Sequence, residues 1–270
     1  MPITTTDWDL VTVTADAPPR DPGLLRALIA GDHAVVLLRG LLPAPLLDTE
    51  RSRVNALFSQ ASTTRYTNGT LTTIGPYLAK YLANAADYFP AADAATEMLQ
   101  SASFDLAARV RAELCRCFGL ASLGPAREPD GRRYGDSVVR IHADGVSNPL
   151  HNDNIMRDAA GTGLALSHLA HQLSCIVCIQ ECDSGGELAI YRKPWAGPDE
   201  EFKIPGGLGY DKQVVADTPC YTFRPQTGDV YLINPTYYHE IGEVAGAPRT
   251  TLGFFIGFGD GPMADAVVWG

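Results

Sequence analysis

The sequence predicts an α+β fold in which a helical layer packs against an antiparallel β-sandwich or barrel. Residues 22–125 are rich in Ala and Leu, and their apolar residues recur with helical spacing. From about Arg133 onward, short β-rich runs alternate with Gly, Pro, Asn and Asp. No separate linker joins the two halves. We therefore expect a single domain over residues 1–270, mainly helical over about 1–130 and a β-core over about 135–262.

The helical half can be divided into elements in order. PGLLRALIAG predicts a short helix ended by Gly31, and HAVVLLRGLL predicts an apolar strand followed by a turn. TTRYTNGT is expected to be a loop, and the Gly-Pro pair in GTLTTIGPYLAKYLANAADYF is expected to precede an amphipathic helix. Helical spacing also marks two longer stretches, PAPLLDTERSRVNALFSQA and AADAATEMLQSASFDLAARVRAELCRCFG, the second of which Gly119 should cap.

The β-half contains seven or eight short strands at the spacing typical of an all-β sandwich or barrel. The segment 193–217 between two of them is long and rich in Pro and Gly. Loops of this length in compact domains are usually functional, so we expect a lid-like insertion there. The strand-forming runs are DSVVRIHAD, QLSCIVCIQEC, GELAIYR, TPCYTFRP, GDVYLINP, YYHEIGEV and RTTLGFFIGF.

Composition narrows the class of function. A chain of 270 residues with net charge −10 lacks the basic surface that a nucleic-acid-binding protein needs. The segment MPITTTDWDL has neither the basic nor the apolar region of a signal peptide, and no run of about 18 apolar residues predicts a membrane span. Six cysteines do not suggest a disulfide scaffold. We therefore expect a cytoplasmic protein, a monomer or homodimer, that acts on a small molecule.

PLHNDN, residues 149–154, contains a candidate metal site. His151 and Asp153 are two positions apart, and in extended backbone such side chains lie on the same side. A third ligand must come from a distant strand, and His239 in NPTYYHEIGEV is the best candidate. Two His and one carboxylate are the ligands of many open iron(II) sites, which leave positions free for substrate and oxygen.

Arg249 begins the apolar run RTTLGFFIGF, ten residues after His239. An unpaired guanidinium entering a β-core is costly, whereas a bound anion would stabilise it. Arginine binds carboxylates through two parallel hydrogen bonds, and Thr251, two residues further, shares its face. The pair is therefore predicted to bind a carboxylate.

The order His-Xaa-Asp, distal His, then Arg-Xaa-Thr resembles that of the Fe(II)/2-oxoglutarate-dependent oxygenases. QLSCIVCIQECDSGGELAIY is similar to the hairpin of that family, and TFRPQTGDVYLINPTYYHEI to its strand, Gly-Asp turn, strand and His. The resemblance covers roughly residues 135–260. It implies a double-stranded β-helix, the jelly roll or cupin-like core, with helices packed on one side.

The resemblance also implies the chemistry. His151, Asp153 and His239 would bind Fe(II), and Arg249 and Thr251 would bind the distal carboxylate of 2-oxoglutarate. Reaction with O2 would give succinate, CO2 and an oxidant that removes a substrate hydrogen, followed by hydroxylation. Chlorinating relatives have a small residue in place of the carboxylate, so Asp153 argues against halogenation. The short length and the DSGGEL hairpin resemble bacterial hydroxylases of free amino acids or similar metabolites, related to the aliphatic halogenases.

Three alternatives remain open at this point. Desaturation or cyclisation differs from hydroxylation only in how the substrate radical is placed. A cupin-type metalloenzyme without 2-oxoglutarate would usually supply more histidines near the first motif. A non-enzymatic, ligand-binding jelly roll would not require His, Asp and Arg at these positions. Candidate substrate contacts are Asn154 beside the metal motif, His142 on the strand before it, and Trp195 in the lid-like segment.

Overall fold

A computed structural model describes residues 8–270. Residues 1–7 lie outside the described residues. They make up most of MPITTTDWDL, the segment on which the expected lack of a signal peptide was based. Within 8–270, no helix combines the length and apolarity needed to cross a membrane. That residues 1–270 form one domain stays a prediction.

The helices are numbered in chain order. The α-helices are α1 Gly23–Ala30, α2 Ala44–Ala56, α3 Tyr88–Ser101, α4 Leu106–Phe118 and α5 Ile155–Asp158. Short 3-10 helices cover Phe58–Gln60, Leu78–Asp87, Ala165–His168, Gly197–Phe202 and Lys212–Val215.

The strands are likewise numbered in chain order. The first eight are β1 Leu10–Thr14, β2 Val35–Arg39, β3 Ser62–Tyr66, β4 Gly69–Ile74, β5 Ser122–Pro125, β6 Val138–His142, β7 Asn148–His151 and β8 His171–Gln180. The remaining eight are β9 Ser184–Gly185, β10 Leu188–Pro194, β11 Cys220–Phe223, β12 Val230–Ile233, β13 Tyr237–Ile241, β14 Val244–Ala245, β15 Arg249–Phe258 and β16 Asp265–Trp269.

Two facing sheets form the β-core. The large sheet has the order β1-β2-β12-β8-β15-β6-β4-β3, with β16 beside the second half of β15 and β5 beside β16. The small sheet has the order β11-β10-β13-β7. Along the chain, β6, β8, β12 and β15 enter the large sheet, whereas β7, β10, β11 and β13 enter the small one. This arrangement is a double-stranded β-helix with helices on one side, so the predicted fold class is confirmed.

Strand β15 shows how the sequence separates the two faces of the large sheet. Leu252, Phe254 and Ile256 belong to the main hydrophobic core, which includes residues of α1, α2, α3 and α4. The alternate residues Arg249 and Thr251 line a cavity between the sheets. The two-residue period of a strand therefore places apolar side chains toward the helices and polar ones toward the cavity.

The N-terminal part is less helical than predicted. TTRYTNGT, expected to be a loop, lies in the hairpin of β3 and β4, and β4 pairs with β6 at one edge of the large sheet. Strands β1 and β2 extend the opposite edge through β12. The signal for the hairpin was the run of β-branched residues around Asn68-Gly69.

The amphipathic helix expected after Gly75-Pro76 is also different. Leu78–Asp87 is a 3-10 helix interrupted at Asn84, whose backbone has φ −145° and ψ 75°. The Asn84 side chain donates to the carboxylate of Asp87 (2.7 Å), a local bond that competes with regular helix. The expected ends of α1 at Gly31 and α4 at Gly119 are confirmed, since both glycines adopt the left-handed conformation.

Candidate metal centre and adjoining pocket

His151, Asp153 and His239 come together at one end of the small sheet. Strand β7 ends at His151, and His239 on β13 is its cross-strand partner. Asp153 follows β7, and its backbone N–H donates to the carbonyl of Pro235 (2.8 Å). The Asp153 Oδ2 atom lies 3.8 Å from Nε2 of His151 and 3.9 Å from Nε2 of His239. The three side chains that the sequence singled out thus lie around one point.

Hydrogen bonds to the backbone fix the two imidazole rings. Nδ1 of His151 donates to the carbonyl of Pro149 (2.7 Å), and Nδ1 of His239 donates to the carbonyl of Tyr237 (2.9 Å). Because a carbonyl only accepts, each ring keeps its proton on Nδ1 and leaves the Nε2 lone pair free. This is how metal-binding histidines are usually oriented.

The donor set fits a divalent metal. Two ligand bonds of about 2.1 Å can span the separations between Nε2 and Oδ2. Burial lowers the pKa of His239 well below its ordinary value, and the ring of His151 lowers it further. The neutral imidazole that results is the form that binds metals. Two imidazoles and one carboxylate on one side leave the other coordination positions open.

Arg249 is 4% exposed and lines the same cavity as the three candidate ligands. Its Nη2 donates to the hydroxyl of Tyr231 (3.1 Å), and Thr251 lies on the same face of β15. Among residues 8–270, no carboxylate lies within ion-pair distance of this guanidinium. Arg249 and Thr251 are therefore placed as the prediction requires, facing a cavity in which the guanidinium lacks a counter-charge.

His142 also lines the cavity and is the cross-strand partner of Arg249. It is 2% exposed, and neither ring nitrogen has a hydrogen-bond partner among the described residues. Burial lowers the pKa of His142 to about 3, and the charges of Arg249 and Arg140 act in the same direction. The ring is neutral at physiological pH and offers one unused donor and one unused acceptor.

Asn154 and Trp195 do not line this cavity. The side-chain oxygen of Asn154 accepts from the backbone N–H of Arg157 (3.2 Å) and caps α5. The ring of Trp195 lies 4.7 Å from the Arg157 guanidinium, and its Nε1 donates to Glu200 (3.0 Å). Both side chains are engaged in local contacts, so their predicted role in substrate binding gains no support here.

Arg140 was not predicted as a site residue; it lies two residues before His142 on β6 and pairs with Thr251 on β15. Its place was visible in DSVVRIHAD, because residues two apart on a strand share a face. An apolar wall of the cavity was also missed. It comes from separate segments with no common local pattern, and includes Leu71, Leu78, Leu208 and Phe255.

The β3–β4 hairpin and the lid-like segment meet beside the cavity. The Asn68 side chain donates from Nδ2 to the carbonyl of Leu208 and accepts at Oδ1 from its backbone N–H, both at 2.8 Å. We call these two bonds the Asn68–Leu208 clasp. The backbone N–H of Thr67 adds a bond to the carbonyl of Gly206 (3.3 Å). The clasp holds Leu208 in the cavity wall.

The model of the family described as carrier-protein-independent halogenase WelO5 matches residues 8–264. This chain belongs to the WelO5 halogenase family. The resemblance to Fe(II)/2-oxoglutarate-dependent oxygenases is thereby confirmed, together with the predicted class of enzyme. Fe(II), 2-oxoglutarate and O2, the predicted cofactors, are those of this class.

Individual relatives of this WelO5 family member are distant. It is 25% identical over 186 residues to leucinostatins biosynthesis cluster protein S of Purpureocillium lilacinum, which covers 65% of this chain and 74% of that protein. It is 26% identical over 141 residues to L-isoleucine 3(1)-dioxygenase of Pantoea ananatis, which covers 50% of this chain and 47% of that protein. The chain thus spans about half the length of this second relative.

Solved structures share the fold. An N-substituted L-amino acid dioxygenase from Burkholderia ambifaria superposes with a TM-score of 0.60 at 16% identity, covering 92% of this chain and 91% of that one. At this level of identity the likeness establishes the jelly-roll architecture and not the substrate.

Proposed function

We propose that this protein is an Fe(II)- and 2-oxoglutarate-dependent hydroxylase of a small, amino-acid-like molecule. His151, Asp153 and His239 bind the iron, and Arg249 and Thr251 bind the distal carboxylate of 2-oxoglutarate. The observation that carries the proposal is the convergence of both Nε2 atoms on Asp153 Oδ2, at 3.8 and 3.9 Å. Bound iron, with 2-oxoglutarate and O2, supplies an oxidant able to remove hydrogen from an unactivated C–H bond.

The residues of the chain hold and orient the reactants. The Nδ1–H bonds of His151 and His239 to the backbone hold both rings with Nε2 aimed at the candidate metal position. Arg249 offers a charged guanidinium with parallel N–H donors. The hydroxyl of Tyr231 accepts a hydrogen bond from Arg249, so its own proton remains available to a ligand oxygen. This polar end would hold one terminus of 2-oxoglutarate and orient the molecule toward the candidate metal ligands.

Asp153 supports hydroxylation over halogenation, although the family is described by a halogenase. A halide on the metal needs the position that a carboxylate otherwise fills. Asp153 would fill it, since its Oδ2 lies 3.8 and 3.9 Å from Nε2 of the two histidines. The halogenating chemistry of the family is therefore not proposed for this chain.

The cavity also supports a small-molecule substrate. It lies between the two sheets, and its apolar wall includes Leu71, Leu208 and Phe255. Such a wall suits an aliphatic part of a substrate, the part that carries unactivated C–H bonds. Two of the relatives are named as an isoleucine dioxygenase and an N-substituted amino acid dioxygenase. An amino acid or a derivative of one is the substrate class that we propose.

The test is an anaerobic titration of the purified protein with Fe(II) and 2-oxoglutarate, following the visible metal-to-ligand charge-transfer band. We expect a band in the wild type that is lost in Asp153→Ala and weakened in Arg249→Ala. Succinate formation coupled to small amino acids and their N-acyl derivatives then identifies the substrate. Iron binding without the band would contradict the proposal and favour a metalloenzyme that does not use 2-oxoglutarate.

A further inference from the structure

More positive than negative side chains line the cavity. Among the described residues that line it, the carboxylates are limited to Asp153, which the proposed function assigns to iron. The guanidinium groups are those of Arg140 and Arg249. Assigning Arg249 to the distal carboxylate of 2-oxoglutarate leaves Arg140 as a second positive charge without a ligand. Arg140 is partly buried, and a positive charge held away from water is costly unless a ligand supplies a counter-charge.

Arg140 is held at a definite place in the cavity. It pairs with Thr251 on β15 and with Thr73 on β4, so a strand flanks it on each side. Among residues 8–270, its guanidinium makes no ion pair and no hydrogen bond. The charges that act on it from nearby groups include Asp153 and Arg249. Arg140 therefore lines the same cavity as Asp153 and Arg249.

Gly253 makes room for this side chain. A Cβ atom at Gly253 would lie 2.5 Å from Nη1 of Arg140, closer than carbon and nitrogen atoms can approach without movement. Gly253 follows Thr251 on the same face of β15, and Arg249 precedes Thr251 on it. The guanidinium of Arg140 therefore extends over β15 on the side of Thr251 away from Arg249. The guanidinium of Arg140 and the side chain of Arg249 therefore lie at two separate places on the same face of β15.

We propose that Arg140 binds a carboxylate in this pocket, distinct from the carboxylate held by Arg249. The inference rests on the proposed function, which supplies two sources for that group. One is the C1 carboxylate of 2-oxoglutarate, beside the keto group. The other is a carboxylate of the organic substrate, whose aliphatic part then lies against Leu208 and Phe255. The planar fork of arginine suits either source.

The test compares wild type with Arg140→Gln, Arg140→Lys and Gly253→Ala, and Arg51→Gln serves as the control. Arg51 is a partly exposed arginine on α2 that pairs with Asp48. The first titration adds 2-oxoglutarate to the anaerobic Fe(II) protein and follows the visible band. The second adds 4-methylpentanoate or the uncharged 4-methylpentanamide to the same protein saturated with 2-oxoglutarate, and follows the heat of binding.

We expect Arg140→Gln to weaken one of these two interactions by roughly 10- to 100-fold, the effect of losing hydrogen bonds to a charged group. A weaker titration with 2-oxoglutarate identifies its C1 carboxylate as the ligand. A lost preference for the acid over the amide identifies the substrate carboxylate. Gly253→Ala should act in the same direction, because the added methyl displaces the guanidinium without removing its charge. Arg140→Lys should fall between wild type and Arg140→Gln.

The inference is overturned if Arg140→Gln binds 2-oxoglutarate as wild type does and treats the acid and the amide as wild type does. If Arg140→Gln fails to fold, Arg140→Lys and Gly253→Ala decide by the same two titrations. A wild type without the visible band contradicts the proposed function alone. The acid and the amide, titrated into the metal-free wild type and variants, then decide the role of Arg140.

Discussion

His151 and His239 face each other across the β7–β13 pair, with ring centroids 4.2 Å apart and ring planes tilted by 48°. Two imidazolium charges at this distance would repel strongly, and burial already lowers the pKa of His239. Burial therefore favours the neutral form of His239, and the Nε2 atoms of both rings are placed to share one cation. Asp153 supplies the negative charge of the set.

Replacing Asp153 by Ala should abolish hydroxylation and lower the affinity for Fe(II). The effect should exceed the roughly 10- to 100-fold loss that follows removal of an outer hydrogen-bond partner of a metal ligand. Anaerobic iron titration measures it, and the exposed Asp130→Ala variant serves as the control. Unchanged iron affinity in Asp153→Ala would remove Asp153 from the metal site.

Replacing Arg249 by Gln should raise the dissociation constant of 2-oxoglutarate by roughly 100-fold, since a bidentate charged pair is lost. Tyr231→Phe removes only a hydroxyl that accepts from Arg249, so its effect should be roughly tenfold or less. Titration of the visible band measures both constants. Equal effects of the two substitutions would indicate that Tyr231 holds the ligand directly and Arg249 acts through it.

Breaking the Asn68–Leu208 clasp should affect the organic substrate more than 2-oxoglutarate. Asn68→Ala removes two hydrogen bonds, each contributing about 1 kcal/mol, and frees Leu208 from the cavity wall. We expect a several-fold higher KM for the organic substrate, faster limited proteolysis within residues 203–210, and unchanged binding of 2-oxoglutarate. Asn55→Ala on the exposed side of α2 is the matched control. Proteolysis at the wild-type rate would show that the clasp does not hold the segment.

His142 is expected to make the folded protein less stable as the pH falls. Its folded pKa of about 3 lies below the ordinary value of 6.5, so between these two values the unfolded chain binds a proton that the folded protein does not. Stability therefore falls as the pH falls through this window, by up to about 1.4 kcal/mol per pH unit. Above pH 6.5 both states are neutral at His142, and this component of the pH dependence vanishes.

His142→Gln should remove this component, so its unfolding free energy should fall less steeply than that of wild type between about pH 6 and about pH 4. Urea unfolding of the metal-free proteins at several pH values measures the two slopes. His171→Gln, at the exposed start of β8, is expected to keep the wild-type slope. Parallel slopes for wild type and His142→Gln would show that His142 does not carry the effect.

The candidate iron ligands and Arg249 could be predicted from the sequence because each belongs to a short motif. His151 and Asp153 share a side through the two-residue period, and Arg249 is a charge at the start of an apolar strand. His239 was chosen as a candidate on a distant strand, although nothing local in the sequence sets its distance from His151. The register of β7 and β13, which makes them partners, is a property of the assembled sheet.

The N-terminal contribution to the pocket could not be predicted in the same way. Leu71 and Leu78 read as ordinary apolar residues, and their place in the cavity wall depends on the pairing of β4 with β6. Asn154 and Trp195 were chosen for their proximity in sequence to the motif and the lid-like segment. Both have local partners, Arg157 and Glu200 respectively, and sequence proximity did not reveal these contacts.

The Asn68–Leu208 clasp joins two segments that contain none of the proposed ligands of iron or 2-oxoglutarate. Both segments contribute to the apolar wall, through Leu71 on the hairpin and Leu208 on the other side. They therefore form an exchangeable pair that can be replaced while the metal centre is retained. Asn68 bonds to the backbone of Leu208. A chimera that exchanges only one of the two segments must therefore keep a turn in the other segment that allows these bonds. Variants selected for a new substrate should accordingly carry changes in both segments together.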